Sequence, residues 1–313
     1  MSRLFISGLV NIETTVAIAG FPLAYAPVHY PFHGIHSSVS GVGVNLAKAL
    51  HRLGNDVQLH SLIGPDLAGE TVRQALQREG LDCRGLTPSL SATPQSVILY
   101  DPLGRRQIQV DLKECQEQAL PARAAQALPQ CDMALLCNIN FSRPLLAEAK
   151  RQGKLIATDV HVLREIDDGY NRDFMAAADI LFLSDEGLDG RPADEFLREL
   201  AERYHNALIV LGCGANGALL YQRADRSFFH APACAPRGVR NTVGAGDALF
   251  SAFVHEWLQH HNAPLALQRA CLFAGWKVGA IGAADGFADV NEWQQLLTTR
   301  PSCADSDNIP ASE

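Results

Sequence analysis

The sequence predicts an α/β protein: a central, mostly parallel sheet with helices on both faces, plus a small second β-sheet. Three observations predict it. From about residue 133 onward, apolar strand runs (133–138, 154–158, 179–183, 207–211) alternate with helix-period segments (143–151, 193–204), as a parallel sheet covered on both faces requires. The opening run Leu4-Phe5-Ile6 has no polar alternation and soon meets Gly8, which fits a strand buried on both faces. Residues 14–36 are short, aromatic and proline-interrupted pieces, too irregular for a core helix, so they belong to a β appendage outside that sheet.

In chain order, Leu46, Leu50 and Leu53 fall at i, i+4 and i+7 ahead of Gly54, which predicts an amphipathic helix over 44–53. A strand over 57–64 and a helix over 69–79, closed by Gly80, follow. Segments 95–100 and 107–112 flank Asp101-Pro102-Leu103-Gly104, turn chemistry for a hairpin that joins the same small sheet as residues 12–40. Beyond the alternating region come a hairpin at 216–222 and 226–230, helices at 246–259 and 265–280, and a short helix at 290–297. The polar, small-residue stretch 301–313 is expected to be a disordered tail, which leaves 1–300 as one domain.

The chain has 313 residues, 47% hydrophobic and 19% charged, enough to bury the core of one large domain. A net charge of -8 speaks against a nucleic-acid binder, which needs a basic surface to meet phosphates. It does not exclude anionic substrates, because clustered backbone amides bind phosphate on acidic proteins too. The eight cysteines are scattered, with no Cys-x-x-Cys pair and no Cys/His group at zinc spacing. No secretory leader and no run of about 20 apolar residues is present, so the expectation is a cytoplasmic protein with reduced thiols and no membrane span.

Two glycine-rich stretches carry the chemistry. Asn241-Thr242-Val243-Gly244-Ala245-Gly246-Asp247 stands directly before a helix with the apolar stripe Leu249, Phe250, Phe253, Val254 and Trp257. Glycines there leave N–H groups exposed at a helix N-terminus, a ready site for the charge of a phosphoryl group in transfer. Asp247, in the first turn, is placed to take a proton from an attacking hydroxyl. An ordinary acidic N-cap on a glycine-rich loop reads the same residues without catalysis. Ser40-Gly41-Val42-Gly43-Val44-Asn45 enters the earlier helix and matches neither a Walker loop nor the dinucleotide fingerprint. Its glycines would let a polyol approach, and the Asn45 amide both donates to and accepts from hydroxyls. A plain helix entry with Asn in its first turn is the competing reading.

Together these stretches resemble the two signatures of the ribokinase-like (PfkB) carbohydrate and nucleoside kinases. Gly41-Val42-Gly43-Val44-Asn45-Leu46-Ala47 through Leu53-Gly54, then Ile63-Gly64-Pro65-Asp66-Leu67-Ala68-Gly69, is similar to the first signature, and 241–247 to the second. The similarity runs in order from Gly8 to about Gly286. It implies an ATP- and magnesium-dependent kinase of a sugar or nucleoside, with the β appendage (about 12–40 and 93–112) as a lid over the sugar that often forms a homodimer contact. Carried over by position, Asp247 is the base, Gly244, Ala245 and Gly246 form the anion hole, and Asn11, Glu13, Gly41, Gly43, Asn45 and Asn140 surround the substrate. Thr242, Gly212, Gly214 and Gly217 border ATP. Non-catalytic sugar sensing, or a hydroxymethyl heterocycle as acceptor, are the alternatives.

Several positions depart from the family. Glu13 stands where aspartate is usual, and Ser40 replaces a glycine. Asn241 replaces an aspartate that in some members helps bind a monovalent cation, which leaves potassium dependence open. The magnesium-organising Asn-x-x-Glu motif survives only as Ser184-Asp185-Glu186-Gly187, with Glu186 acting through water. His255 and His260 are five apart, about 140° around a helix, and cannot share a zinc ion. His161, beyond Asp159 at a strand end, reads as a loop histidine with a possible reach to the site.

Overall fold

The computed structural model describes residues 1–299 except Gly104; the tail expected at 301–313 lies outside the described residues. In order the elements are β1 (Arg3–Ser7), β2 (Asn11–Ala17), β3 (Ile35–Ser40), α1 (Val42–Arg52), β4 (Asp56–Ile63), α2 (Leu67–Arg78), β5 (Leu86–Pro88), β6 (Gln95–Tyr100) and β7 (Arg106–Asp111). Two 3-10 segments, Lys113–Gln116 and Ala122–Gln130, lead to β8 (Met133–Leu136), α3 (Arg143–Arg151), β9 (Leu155–Val162), α4 (Arg172–Ala177), β10 (Ile180–Ser184), α5 (Ala193–Tyr204) and β11 (Leu208–Gly212). The chain continues through β12 (Ala218–Gln222), β13 (Ser227–Ala231), α6 (Ala245–His260), α7 (Ala263–Lys277) and α8 (Val290–Thr299).

Nine strands form the main sheet in the order β13-β12-β11-β10-β9-β8-β1-β4-β5, parallel except for the β11-β12-β13 meander at one edge. Side chains alternate across it, so Leu4 and Ile6 join one core and Phe5 the other. The first core packs α1, α2, α6, α7 and α8 against one face, and the second packs α3, α4 and α5 against the opposite face. Phe182 of β10 fixes α6 to the sheet, its ring centroid 4.4 Å from Phe250 and 5.4 Å from Phe253. Burying side chains of this size stabilises by roughly 1.5–3 kcal/mol each, so the start of α6 has a firm base. Four strands, β3-β2-β6-β7, form the separate small sheet, with β2 and β6 parallel and both outer pairs antiparallel. This is the expected architecture with its lid. No helix among the described residues is long and apolar enough to cross a membrane.

Candidate active site

Ligands of open parallel sheets bind beyond the carboxyl ends of the strands, and this chain gathers polar side chains there. Beyond β1 the chain turns into β2, where the two-residue period puts Asn11 and Glu13 on one face. α1 starts close beside that turn. A Cβ on Gly41, whose φ is 101°, would lie 2.6 Å from the Leu9 carbonyl oxygen, and one on Gly43 would lie 2.7 Å from Gly8. The main chain at 8–9 therefore stands where side chains at 41 and 43 would have to go, a packing reason for both glycines that stands beside the expected approach of a polyol. The two glycines bring α1 against the turn and so aim Asn45.

Asn45 donates through Nδ2 to Asp247 Oδ2 at 2.6 Å, and the Ser40 hydroxyl lies 3.2 Å from Asn45 Oδ1 and 3.3 Å from Glu13 Oε2. Glu13, Ser40, Asn45 and Asp247 thus form one buried hydrogen-bonded run from the lid sheet to α6. Asn11 donates to Ser96 of β6 at 3.0 Å, but its Oδ1 and Glu13 Oε1 are buried acceptors with no partner in the structure. Each such orphan costs about 1–3 kcal/mol, a penalty that a hydroxyl-bearing ligand would remove. Burial, offset in part by the Ser40 hydrogen bond and reinforced by the charge of Asp247, pushes the Glu13 carboxyl up to about 7.

Asp247 is the third residue of α6 and nearly buried. The helix opens on Gly244, left-handed at φ 78°, where a Cβ would lie 2.4 Å from the Ala283 carbonyl oxygen. No side chain among the described residues caps it, so first-turn N–H groups and the helix dipole remain available to an anion. Of the expected anion-hole positions, the Ala245 amide is engaged within the loop on the Thr242 carbonyl at 3.1 Å, while the space beside Gly246 is open. Burial raises the pKa of Asp247. The Asn45 hydrogen bond and the charges of His161 and Lys277 oppose that rise, and Asp159 adds to it.

On the other side of this point, Gly212 ends β11, and a 3-10 turn over Gly214–Asn216 with Gly217 leads into β12. Arg106 of β7 reaches across to Thr242 Oγ1 at 3.4 Å and to Glu186 Oε1 at 3.1 Å, so Glu186 already has a lid partner. Asp185 beside it is raised by burial and by the Glu186 charge. Among the described residues, no three His, Cys, Asp or Glu side chains could hold a metal ion by themselves. Asn140 is engaged elsewhere, with Nδ2 on the Gln116 carbonyl at 2.8 Å and Oδ1 accepting from Arg143 at 3.2 Å.

A family model described as "pfkB family carbohydrate kinase" matches residues 1–289. The chain belongs to the pfkB family. Membership makes it an ATP-dependent kinase of sugar or nucleoside hydroxyls. Among its relatives, the deoxyribokinase of Salmonella typhimurium is 25% identical over 275 residues, covering 82% of this chain and 87% of that one. The 5-dehydro-2-deoxygluconokinase of Clostridium perfringens is 24% identical over 301 residues, covering 86% and 88%. The structure of a microbiome-derived acarbose kinase superposes with a TM-score of 0.84 at 24% identity, over 95% of this chain and 99% of that one, and so shares the fold.

Three side chains at this pfkB site went unassigned in the sequence reading. His161 sits at the end of β9 in a left-handed conformation (φ 58°), with its amide on Asp159 Oδ1 at 2.7 Å and its ring 3.5 Å from Asp159 Oδ2. Burial works against its charge, but the Asp159 pair and Asp247 outweigh it and push the imidazole up to about 9. Asp159 is its direct partner, the charge of Asp247 also favours its protonated form, and the Asp-x-His spacing at a strand end was its signal. Arg106 left no signal in its exposed strand. The third, Lys277, was visible as a lone lysine closing an apolar helix run.

Proposed function

We propose that this pfkB kinase transfers the γ-phosphoryl group of ATP to a hydroxyl of a sugar, or of the sugar part of a nucleoside, with Asp247 as general base. The observation that carries this reading is the buried run Glu13, Ser40, Asn45, Asp247, bordered by the unpaired acceptors of Asn11 and Glu13. Those acceptors suit the donors of a polyol. With one hydroxyl held beside Asp247, its oxygen attacks the γ-phosphorus, its proton passes to the carboxylate, and ADP leaves. Charge gathering on the transferred group meets the first-turn amides of α6. ATP lies between 212–217 and the loop at Thr242, with no Walker-type lysine. Magnesium bound with the nucleotide would neutralise the phosphate charge; it needs few protein ligands, and Glu186, with Asp185 beside it, would hold it through water. The two relatives above are named for monosaccharide-derived acceptors, which supports that class here.

The same reading makes the exposed lid a homodimer contact in the cytoplasm. Every residue of β7 is exposed, including Ile108 and Val110, and exposed Tyr30 and Phe32 stack at 6.0 Å. The test is ATP consumption by the purified protein on a panel of sugars, nucleosides and hydroxymethyl heterocycles, with equilibrium binding of Mg-ATP. Turnover of a sugar or nucleoside is expected. Sugar binding without turnover of any acceptor would favour a sensor, and binding of NAD in place of Mg-ATP would overturn the phosphate-loop assignments together.

A further inference from the structure

The loop that carries the anion hole is held from behind by a buried charge. α7 runs apolar through Leu272, Phe273, Ala274, Gly275 and Trp276 and ends on Lys277, which is 0% exposed. Its ammonium donates to the carbonyl of Val243, the residue before the left-handed Gly244 that opens α6. An isolated ammonium in a protein interior is costly, and burial lowers its pKa to about 8 against the attraction of Asp247, Glu13 and Asp285. Those three carboxylates keep it charged near neutral pH. The neighbouring Asn241 is neutral and fully engaged: Oδ1 accepts from the Val243 amide at 2.9 Å, and Nδ2 donates to the Ile281 carbonyl at 2.6 Å. The Arg240 and Asn241 amides both bind the Val278 carbonyl, so this loop is sewn to the end of α7. The groups around Asn241 that could bind a free monovalent ion thus already have partners, the Val243 carbonyl in the Lys277 ammonium and the Asn241 side chain in main-chain groups.

Resting on the kinase reading, we propose that Lys277 is a positioning residue that acts as a tethered monovalent cation. It fixes the Val243 carbonyl, holds 244–247 in its anion-binding form, and supplies behind the phosphoryl site the charge that potassium would otherwise supply. Catalysis is then independent of added monovalent salt.

The test compares the full-length protein with tetramethylammonium as the only monovalent cation and with KCl, NaCl or NH4Cl added. It reads Mg-ATP binding by calorimetry and turnover of the acceptor found in the panel. Wild type is expected to bind and turn over equally in all four salts. Lys277→Ala removes the charge and opens a space, so turnover should fall about 10-fold or more and recover in KCl or NH4Cl but not in tetramethylammonium. Lys277→Met fills the space and should lose activity without recovery. Stimulation of wild type by potassium, wild-type activity in Lys277→Ala, or a loss that no cation restores would each overturn the proposal. The wild-type salt series decides alone if neither variant folds. Mg-ATP binding that requires potassium would sink only this inference, whereas no Mg-ATP binding in any salt would sink the kinase reading and this inference with it.

Discussion

Asp247 is subject to two opposing influences on its proton: the helix dipole favours the carboxylate, and burial, which prevails, favours the acid. A raised pKa suits a general base, since proton transfer is most efficient when base and operating pH are matched. Asp247→Asn keeps the shape and removes the proposed base. Turnover should fall about 10²–10⁴-fold with Mg-ATP affinity nearly unchanged, and near wild-type turnover would refute the mechanism. Glu13 offers a test on stability. Its carboxyl stands at about 7 in the folded protein against 4.5 ordinarily, so the native state holds a proton that the unfolded chain has released. Its contribution is full below about 4.5 and is lost as pH rises through about 7. Glu13→Gln does not titrate, so its stability relative to wild type should rise between pH 4.5 and 8 by up to roughly 3 kcal/mol. Paired thermal melts check this, and a pH-independent difference in Tm would show that Glu13 is an ordinary carboxylate.

At the scale of elements, α3 and α5 span the residues that their apolar period marks, because each is two turns or more with punctuation at both ends. β9 runs on to Val162 where the sequence reading stops at 158. Thr158 and Asp159 look like a strand end because they are polar, yet the Thr158 hydroxyl bonds the Leu136 carbonyl and Asp159 turns onto His161. β5, α4 and the 3-10 segment Lys113–Gln116 are too short to carry a period, and Ala122–Gln130, though as long as α3, winds with the tighter 3-10 period that a 3.6-residue pattern does not mark. The same limit applies at the site. Asp247 and Asn45 were legible because each follows glycines into a helix. Arg106 was not, since its partner Glu186 lies 80 residues further along the chain. That pair ties β7 to the end of β10, and as a partly exposed contact it contributes about 0–1 kcal/mol. Arg106→Ala should therefore leave the melting temperature nearly unchanged while speeding hydrogen exchange across β6 and β7 and raising the KM for ATP. Unaltered exchange in β7 would mean that the contact does not hold the lid.

For the whole molecule, the question is how the small sheet communicates with the large one. Ile98 of β6 is 1% exposed and packs with Val243 and Ala283 in a cluster separate from the cores on the two faces of the main sheet. Ile12 of β2 and Val39 of β3 pack the small sheet on the first main core, while Ile98 is the apolar contact that falls on the loop before α6, the place where lid position and loop geometry can be coupled. A kinase needs that coupling, because water must be kept out while a sugar hydroxyl attacks. Ile98→Asp places a charge in the contact and should lift the lid without touching either main core. Its melting temperature should stay close to wild type, while turnover falls about 10²-fold, the size of effect expected when reacting groups shift by about 1 Å. Small-angle scattering supplies the decisive comparison. With acceptor and a non-hydrolysable ATP analogue, wild type should contract and Ile98→Asp should not; a wild type of unchanged dimensions would show that the lid does not close on substrate, and an equal contraction in both would show that Ile98 is not what couples the two sheets.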